Sequence, residues 1–244
     1  MKMKSAKTNR RCCQLVLALA LAGSTSAHAQ AVLTEGHTDV GIDYDAGANV
    51  WDLHIHDEVH DVEYSPPSEA LLFVKNQAHG TVPTGAQWSF LGPAGSDVWT
   101  LPKVQDPNLL FLGFGAEEID TGVFQNDEFT MSLQAVSGPG SLVVYDTDAF
   151  GNPELLMSSR DGITAGDSVQ VPAGEHRHVN WAFSEPGDYT VTFDAFGIRA
   201  LDSQATDSGP VEYFFHVEAV PEPGAAALLG LGIAAIALRR KKAA

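Results

Sequence analysis

The strongest constraint on the fold is the rhythm of the sequence between residues 32 and 217. Short apolar–polar alternations recur there, each closed by Gly, Pro, Asn or Asp, and no stretch keeps a helical period for three turns. A period of two sends successive side chains to opposite faces of a strand, which makes one face core and leaves the other polar. Strands are predicted over 32–44, 51–58, 70–75, 109–114, 129–136, 141–145, 168–171, 179–183, 188–196 and 211–217. A turn at 45–49 predicts that the first two pair as a hairpin, and Gly138-Pro139-Gly140 predicts another. Residues 80–102 read as turn-rich around Trp88 and Trp99, and 200–210 as a linker. The expected fold is all-β, an antiparallel two-sheet β-sandwich of jelly-roll or immunoglobulin-like type.

The two ends read as processing signals. Residues 1–11 carry five basic residues and no acid, 15–23 are apolar, and Ala27-His28-Ala29 offers small residues at both positions that a signal peptidase reads. Residues 1–29 are therefore expected to be a signal peptide cleaved after Ala29. Cys12 and Cys13 would leave with it, so the mature chain would have neither disulfides nor thiolate metal ligands. At the other end Val220-Pro221-Glu222-Pro223 precedes an apolar run, 225–238, and a basic Arg239-Arg240-Lys241-Lys242. That run predicts a short membrane helix stopped by positive charge. The segment 220–244 resembles the PEP-CTERM sorting signal read by exosortases in Gram-negative bacteria. The resemblance implies export, transient membrane retention and release or attachment at the cell surface or in the extracellular matrix. Signal peptidase and exosortase are the implied partners. A β-sandwich surface domain is left between them at 30–219.

Charge narrows the partners further. Five basic residues, Lys75, Lys103, Arg160, Arg177 and Arg199, lie between the two ends. Set against all 31 acids, they leave the exported part near −26. Such a surface repels nucleic acid and attracts cations. Solubility in a saline or crowded exterior explains the charge equally well.

Two histidine-bearing strands carry the chemistry. In WDLHIHDEVH, residues 51–60, Trp51, Leu53 and Ile55 share one face while Asp52, His54, His56 and Glu58 share the other. In GEHRHVNWAF, residues 174–183, His176, His178 and Asn180 oppose Val179, Trp181 and Phe183. Residues two apart on a strand lie roughly 7 Å apart on one face, within reach of one ion bound at about 2.0–2.1 Å per Zn–N bond. The predicted hairpin also brings His37 and Asp39 beside His54 and His56. Nitrogen and carboxylate donors without thiolate suit Zn, Cu, Ni, Mn or Fe, with geometry to decide among them and zinc or copper the expected cofactor. The five histidines His37, His54, His56, His176 and His178 are expected to form one polar patch, provided the second strand joins the first hairpin's sheet. Neutral imidazoles would be required, so binding should weaken as pH falls through about 6.5. An ordinary polar strand face is the alternative. His60, His79 and His216 read as surface or core residues.

Several segments together resemble the choice-of-anchor M domain, a bacterial surface module found with different anchors, PEP-CTERM tails included. They are Leu33-Thr34-Glu35-Gly36-His37 with Asp39, WTLPKVQDPNLLFLGFG at 99–115, and Pro172-Ala173-Gly174 running into His176-Arg177-His178-Val179-Asn180-Trp181-Ala182-Phe183, continued by SEPGDYTVT at 184–192. Some relatives stand beside metal-type ABC transporters, which implies handling of divalent metal outside the cell. The resemblance carries over to His37, Asp39, His176, His178 and Asn180; His54 and His56 are additions from the residues themselves.

Other chemistries find less support. Gly166, Pro172, Gly174, His176 and Asn180 nearly spell the second cupin motif, with one residue missing before the histidine. His54-Ile55-His56 would be the first motif, without its glutamate spacing. Asp146, Asp148 and Gly151 start like a calcium loop, but Phe150 and Met157 stand where ligands belong, so a turn is expected. No nucleophile motif or phosphate loop occurs. The expected function is a non-catalytic, exported surface protein that binds a divalent metal. The alternatives are a polysaccharide-binding or structural matrix protein, with Trp51, Trp88, Trp99 and Trp181 as a sugar platform for exopolysaccharide, and a cupin-like metalloenzyme.

Overall fold

The computed structural model describes residues 30–221. Strands run in chain order β1 (Ala31–Leu33), β2 (Gly36–Asp45), β3 (Val50–Asp57), β4 (Val62–Tyr64), β5 (Ala70–Val74), β6 (His79–Thr81), β7 (Asp97–Leu101) and β8 (Leu110–Gly115). Then follow β9 (Glu128–Ser137), β10 (Leu142–Thr147), β11 (Pro153–Ser158), β12 (Ser168–Pro172) and β13 (His176–His178). The last are β14 (Asn180–Phe183), β15 (Gly187–Ile198), β16 (Ala205–Asp207) and β17 (Val211–Val217). No helix among the described residues is long and apolar enough to cross a membrane. The expected signal peptide with Ala27 and Ala29, the membrane run 225–238, and Glu222 and Pro223 lie outside the described residues.

The strands form three hydrogen-bonded sheets. A seven-stranded sheet runs β1-β5-β17-β15-β9-β12, with β16 on β15. One five-stranded sheet runs β11-β10-β14-β7-β6, and another, which carries the site, runs β13-β8-β2-β3-β4. Aromatic side chains join the seven-stranded sheet to both others. Trp181 of β14 meets Phe193 of β15 and Phe215 of β17 at ring-centroid separations of 5.9 and 6.0 Å. Phe114 of β8 meets Phe193 at 5.7 Å, and Trp51 of β3 meets Phe129 of β9 at 5.5 Å. Trp181 also donates its indole N–H to the Leu112 carbonyl at 3.2 Å, so no polar atom of this fully buried residue is wasted.

The predicted β2–β3 hairpin forms, with Val40, Ile42, Leu53 and Ile55 buried in the core. The Asp45 carboxylate accepts from the backbone N–H groups of Gly47 and Ala48 and shapes the turn. Three expectations are corrected. Two of the three sheets are mixed rather than purely antiparallel, because β1·β5, β5·β17 and β2·β8 pair in parallel; the β11-β10-β14-β7-β6 sheet is antiparallel throughout. The strand expected at 32–44 breaks before Gly36, so β1 joins the seven-stranded sheet and β2 the site sheet. Gly36 has φ +93°, and a Cβ there would come 2.6 Å from Val59 Cγ2, so the break admits only glycine comfortably. The turn at Gly138-Pro139-Gly140 joins strands in different sheets: β9 pairs with β12 and β15, β10 with β11 and β14. Turn residues signal a reversal without specifying the partner.

Candidate metal centre

The site grows from the register of four neighbouring strands. Asp39 on β2 lies opposite His56 on β3 and Gly113 on β8, and Gly113 lies opposite His178 on β13. The next row, offset by two residues and so on the same face, reads His54, Gly41, Gly115, His176. His37 stands on β2 two residues before Asp39, with its carbonyl accepting the Glu58 N–H. The expected second strand divides at Val179: β13 completes the site sheet and β14 enters the other five-stranded sheet. The condition for both histidine pairs to share a sheet is thus met by half of the segment.

Glycine makes room for the donors. A Cβ on Gly113 would approach Asp39 Oδ1 at 2.6 Å and His178 Nδ1 at 3.0 Å; one on Gly115 would meet Asp39 Cβ and Glu117 Oε2, each at 3.0 Å. On the opposite face of β8, Leu110, Leu112 and Phe114 are fully buried. The strand therefore contributes a core face and an open floor under the histidines.

His37, His176 and His178 have ligand nitrogens all within 4.8 Å of one another. His37 Nε2 lies 3.0 Å from His178 Nε2 and 3.1 Å from Asp39 Oδ2. Metal–nitrogen bonds of about 2.0–2.1 Å in tetrahedral array place ligand atoms roughly 3.3 Å apart, so these atoms stand near coordination spacing. The His178 ring is fixed by stacking on Phe111, with centroids 3.5 Å apart and planes 6° from parallel. His176 Nδ1 contacts Glu117 Oε1, a carboxylate partner of the sort that orients a ligating imidazole.

Asp39 is the anomaly of the face. It is 1% exposed, and neither carboxylate oxygen has a hydrogen-bond partner among the described residues. A buried carboxylate normally recovers its lost hydration through partners. Burial, reinforced by the carboxylates of Glu117 and Glu58, pushes Asp39 up to about 7. Burial, then the neighbouring imidazoles of His37 and His176, pulls His178 down to about 4, and its Nδ1 also lacks a partner. Burial lowers His37 and His54 too. These imidazoles keep a free lone pair at neutral pH, as a metal ligand requires.

The other predicted residues are distributed as follows. His56 Nδ1 pairs with Glu58 Oε1 at 2.9 Å, beside the carboxylate trio Asp39, Glu58 and Glu117. His54 joins Glu63 and Glu118. Asn180 is not brought to the histidines: its Oδ1 accepts from the Lys103 N–H at 3.0 Å and its Nδ2 donates to the Tyr145 carbonyl at 3.2 Å. Crossing between sheets at Val179 commits that amide to backbone. His60, His79 and His216 each pair with a carboxylate, Asp57, Asp97 and Asp188, away from this cluster. Asp148 accepts from the N–H groups of Phe150 and Asn152 as a turn residue. Sequence reasoning missed Glu63, Glu117, Glu118 and the glycines. The signal for the glycines was present in Gly113-Phe114-Gly115: two side chains absent from one face of an otherwise apolar strand.

Residues 219–241 match the family model of the PEP-CTERM protein-sorting motif. No curated protein and no solved structure matches the chain. The motif marks an exported bacterial protein that is sorted to the cell surface and processed by exosortase.

Proposed function

We propose that this exported protein is a choice-of-anchor M-type surface module that binds one divalent transition metal, zinc or copper, through His37, His176, His178 and Asp39. Binding rather than turnover is its task. The observation that carries the reading is Asp39: a carboxylate buried without hydrogen bonds, 3.1 Å from the Nε2 of a histidine that is itself 3.0 Å from a second Nε2. One proton on His37 cannot satisfy both neighbours, whereas a cation can meet all three lone pairs. The glycine floor supports the same reading, since space is kept where any side chain would intrude. The test is elemental analysis of the untagged full chain after export, followed by zinc titration of the metal-free protein. H37A/H178A is expected to lose about one equivalent relative to wild type. Metal-free protein whose zinc affinity is unchanged by H37A/H178A would rule the site out.

A further inference from the structure

We propose that the same sheet face holds a second divalent-cation site, made by His54, Glu63 and Glu118. It goes beyond the histidine-rich centre and stands on different residues. His54 comes from β3, Glu63 from the edge strand β4, and Glu118 from the turn after β8. Their ligand atoms lie within 4.8 Å of one another. The two carboxylates are exposed and would not by themselves define a site. The independent observation is His54, which is 2% exposed with Nδ1 lacking any hydrogen-bond partner among the described residues. Its ring occupies the space above Gly41, where a Cβ would come 2.2 Å from Nε2. A buried imidazole with an unpartnered Nδ1, one of whose ring nitrogens lies within 4.8 Å of two carboxylates, is an arrangement a cation resolves.

The surroundings agree. No described Lys or Arg forms an ion pair with Glu63 or Glu118; the two carboxyl groups hydrogen-bond to each other instead. A cavity of about 190 Å³ is lined by His54 and Glu118 together with Asp39, His56, Glu58 and Glu117. At about 30 Å³ per water, that volume has room for an ion with several waters. One nitrogen and two carboxylate donors favour a harder partner than the histidine trio does, in the range of Mn²⁺, Fe²⁺ or Zn²⁺.

Zinc titration of the metal-free full chain, read by calorimetry, tests the second site with Zn²⁺ as the probe. Wild type should take up two equivalents. E63Q/E118Q changes only exposed carboxylates and preserves their shape, and should lose one equivalent or weaken it at least about tenfold. H37A/H178A should lose the other equivalent and keep this one. Uptake by E63Q/E118Q indistinguishable from wild type overturns the second site, whatever H37A/H178A does. A single wild-type equivalent that disappears in E63Q/E118Q and survives in H37A/H178A would retain this site and reject the histidine-rich one.

Discussion

Two histidine–aspartate neighbours in this molecule share chemistry and differ in everything else. On the seven-stranded sheet, His216 and Asp188 face each other across β17 and β15, with His216 Nδ1 2.6 Å from Asp188 Oδ1 and Asp188 89% exposed. On the site sheet, His37 and Asp39 share one strand, with Asp39 1% exposed and its oxygens unsatisfied. The first is a cross-strand hydrogen bond that water can replace. The second joins a half-buried imidazole to a carboxylate that is removed from water and lacks hydrogen bonds. Residue types and strand spacing do not separate the two cases; burial over a glycine floor does.

The largest effect that can break this contrast concerns Asp39. Its folded pKa of about 7 lies above the usual carboxylate value of 3.8, so the folded state binds the extra proton between those values. Metal-free stability contributed by Asp39 is therefore present at acid pH and lost as pH rises from about 4 to about 7. About three pK units correspond to an upper bound of roughly 4 kcal/mol. Metal-free D39N should match or exceed wild type in urea unfolding at pH 8 and lose this component of the pH slope. D39N less stable than wild type at pH 8 would place a satisfied anion at position 39. His178 runs the other way: its folded pKa of about 4 lies below 6.5, so its contribution is lost as pH falls through that window. H178Q should unmask the Asp39 slope that His178 opposes in the wild-type protein.

Next in size is stabilisation by metal. An ion bound only to the folded state adds on the order of 2.7 kcal/mol at a hundredfold excess over Kd. H37A/H178A should lose one such increment and keep the one from the His54 site, whereas H216A should keep both. A zinc-induced Tm shift that H216A abolishes would collapse the distinction between the sheets. Because Asp39 must lose its proton to become a ligand, affinity should fall as pH drops below about 7, above the range in which the depressed imidazoles of His37 and His178 take up protons.

A Cβ at Gly113 tests the floor itself. G113A should cost about 1–3 kcal/mol in metal-free protein, the range for overpacking, and should weaken zinc binding by displacing Asp39 and His178. Undiminished zinc affinity in G113A would show that the donors do not depend on that space. Smallest of all, H216A should change stability by less than about 1 kcal/mol in either metal state, as exposed pairs do. A loss well beyond that would give the exposed pair a structural weight its environment does not suggest.

Much of one half of the site was legible before the fold was known. The turn at 45–49 fixes the register of β2 on β3, and register alone sets Asp39 against His56 and Gly41 against His54. What stayed hidden was long-range. Nothing in the local pattern says that β8 inserts between β2 and β13, in parallel with one and antiparallel with the other. The division at Val179 was equally invisible, because 174–183 alternates without interruption while its two halves enter different sheets. The hairpin expected at 138–140 failed for the same reason: local sequence specifies that a chain turns, while tertiary packing decides which edge it meets. Glu63, Glu117 and Glu118 were passed over because an acid in an acidic chain carries no signal until the fold shows what it faces.

His37 and His178 are 141 residues apart in the chain. Closing a loop of that length costs more conformational entropy than closing the short turn between β2 and β3. A chain emerging N-terminus first holds His37, Asp39, His54 and His56 long before the strand that supplies His176 and His178 exists. During synthesis and transit it can offer a metal only fragments of the centre. The complete donor set comes into being only where the whole domain folds, so any ion it took up would be drawn from the compartment in which folding is completed.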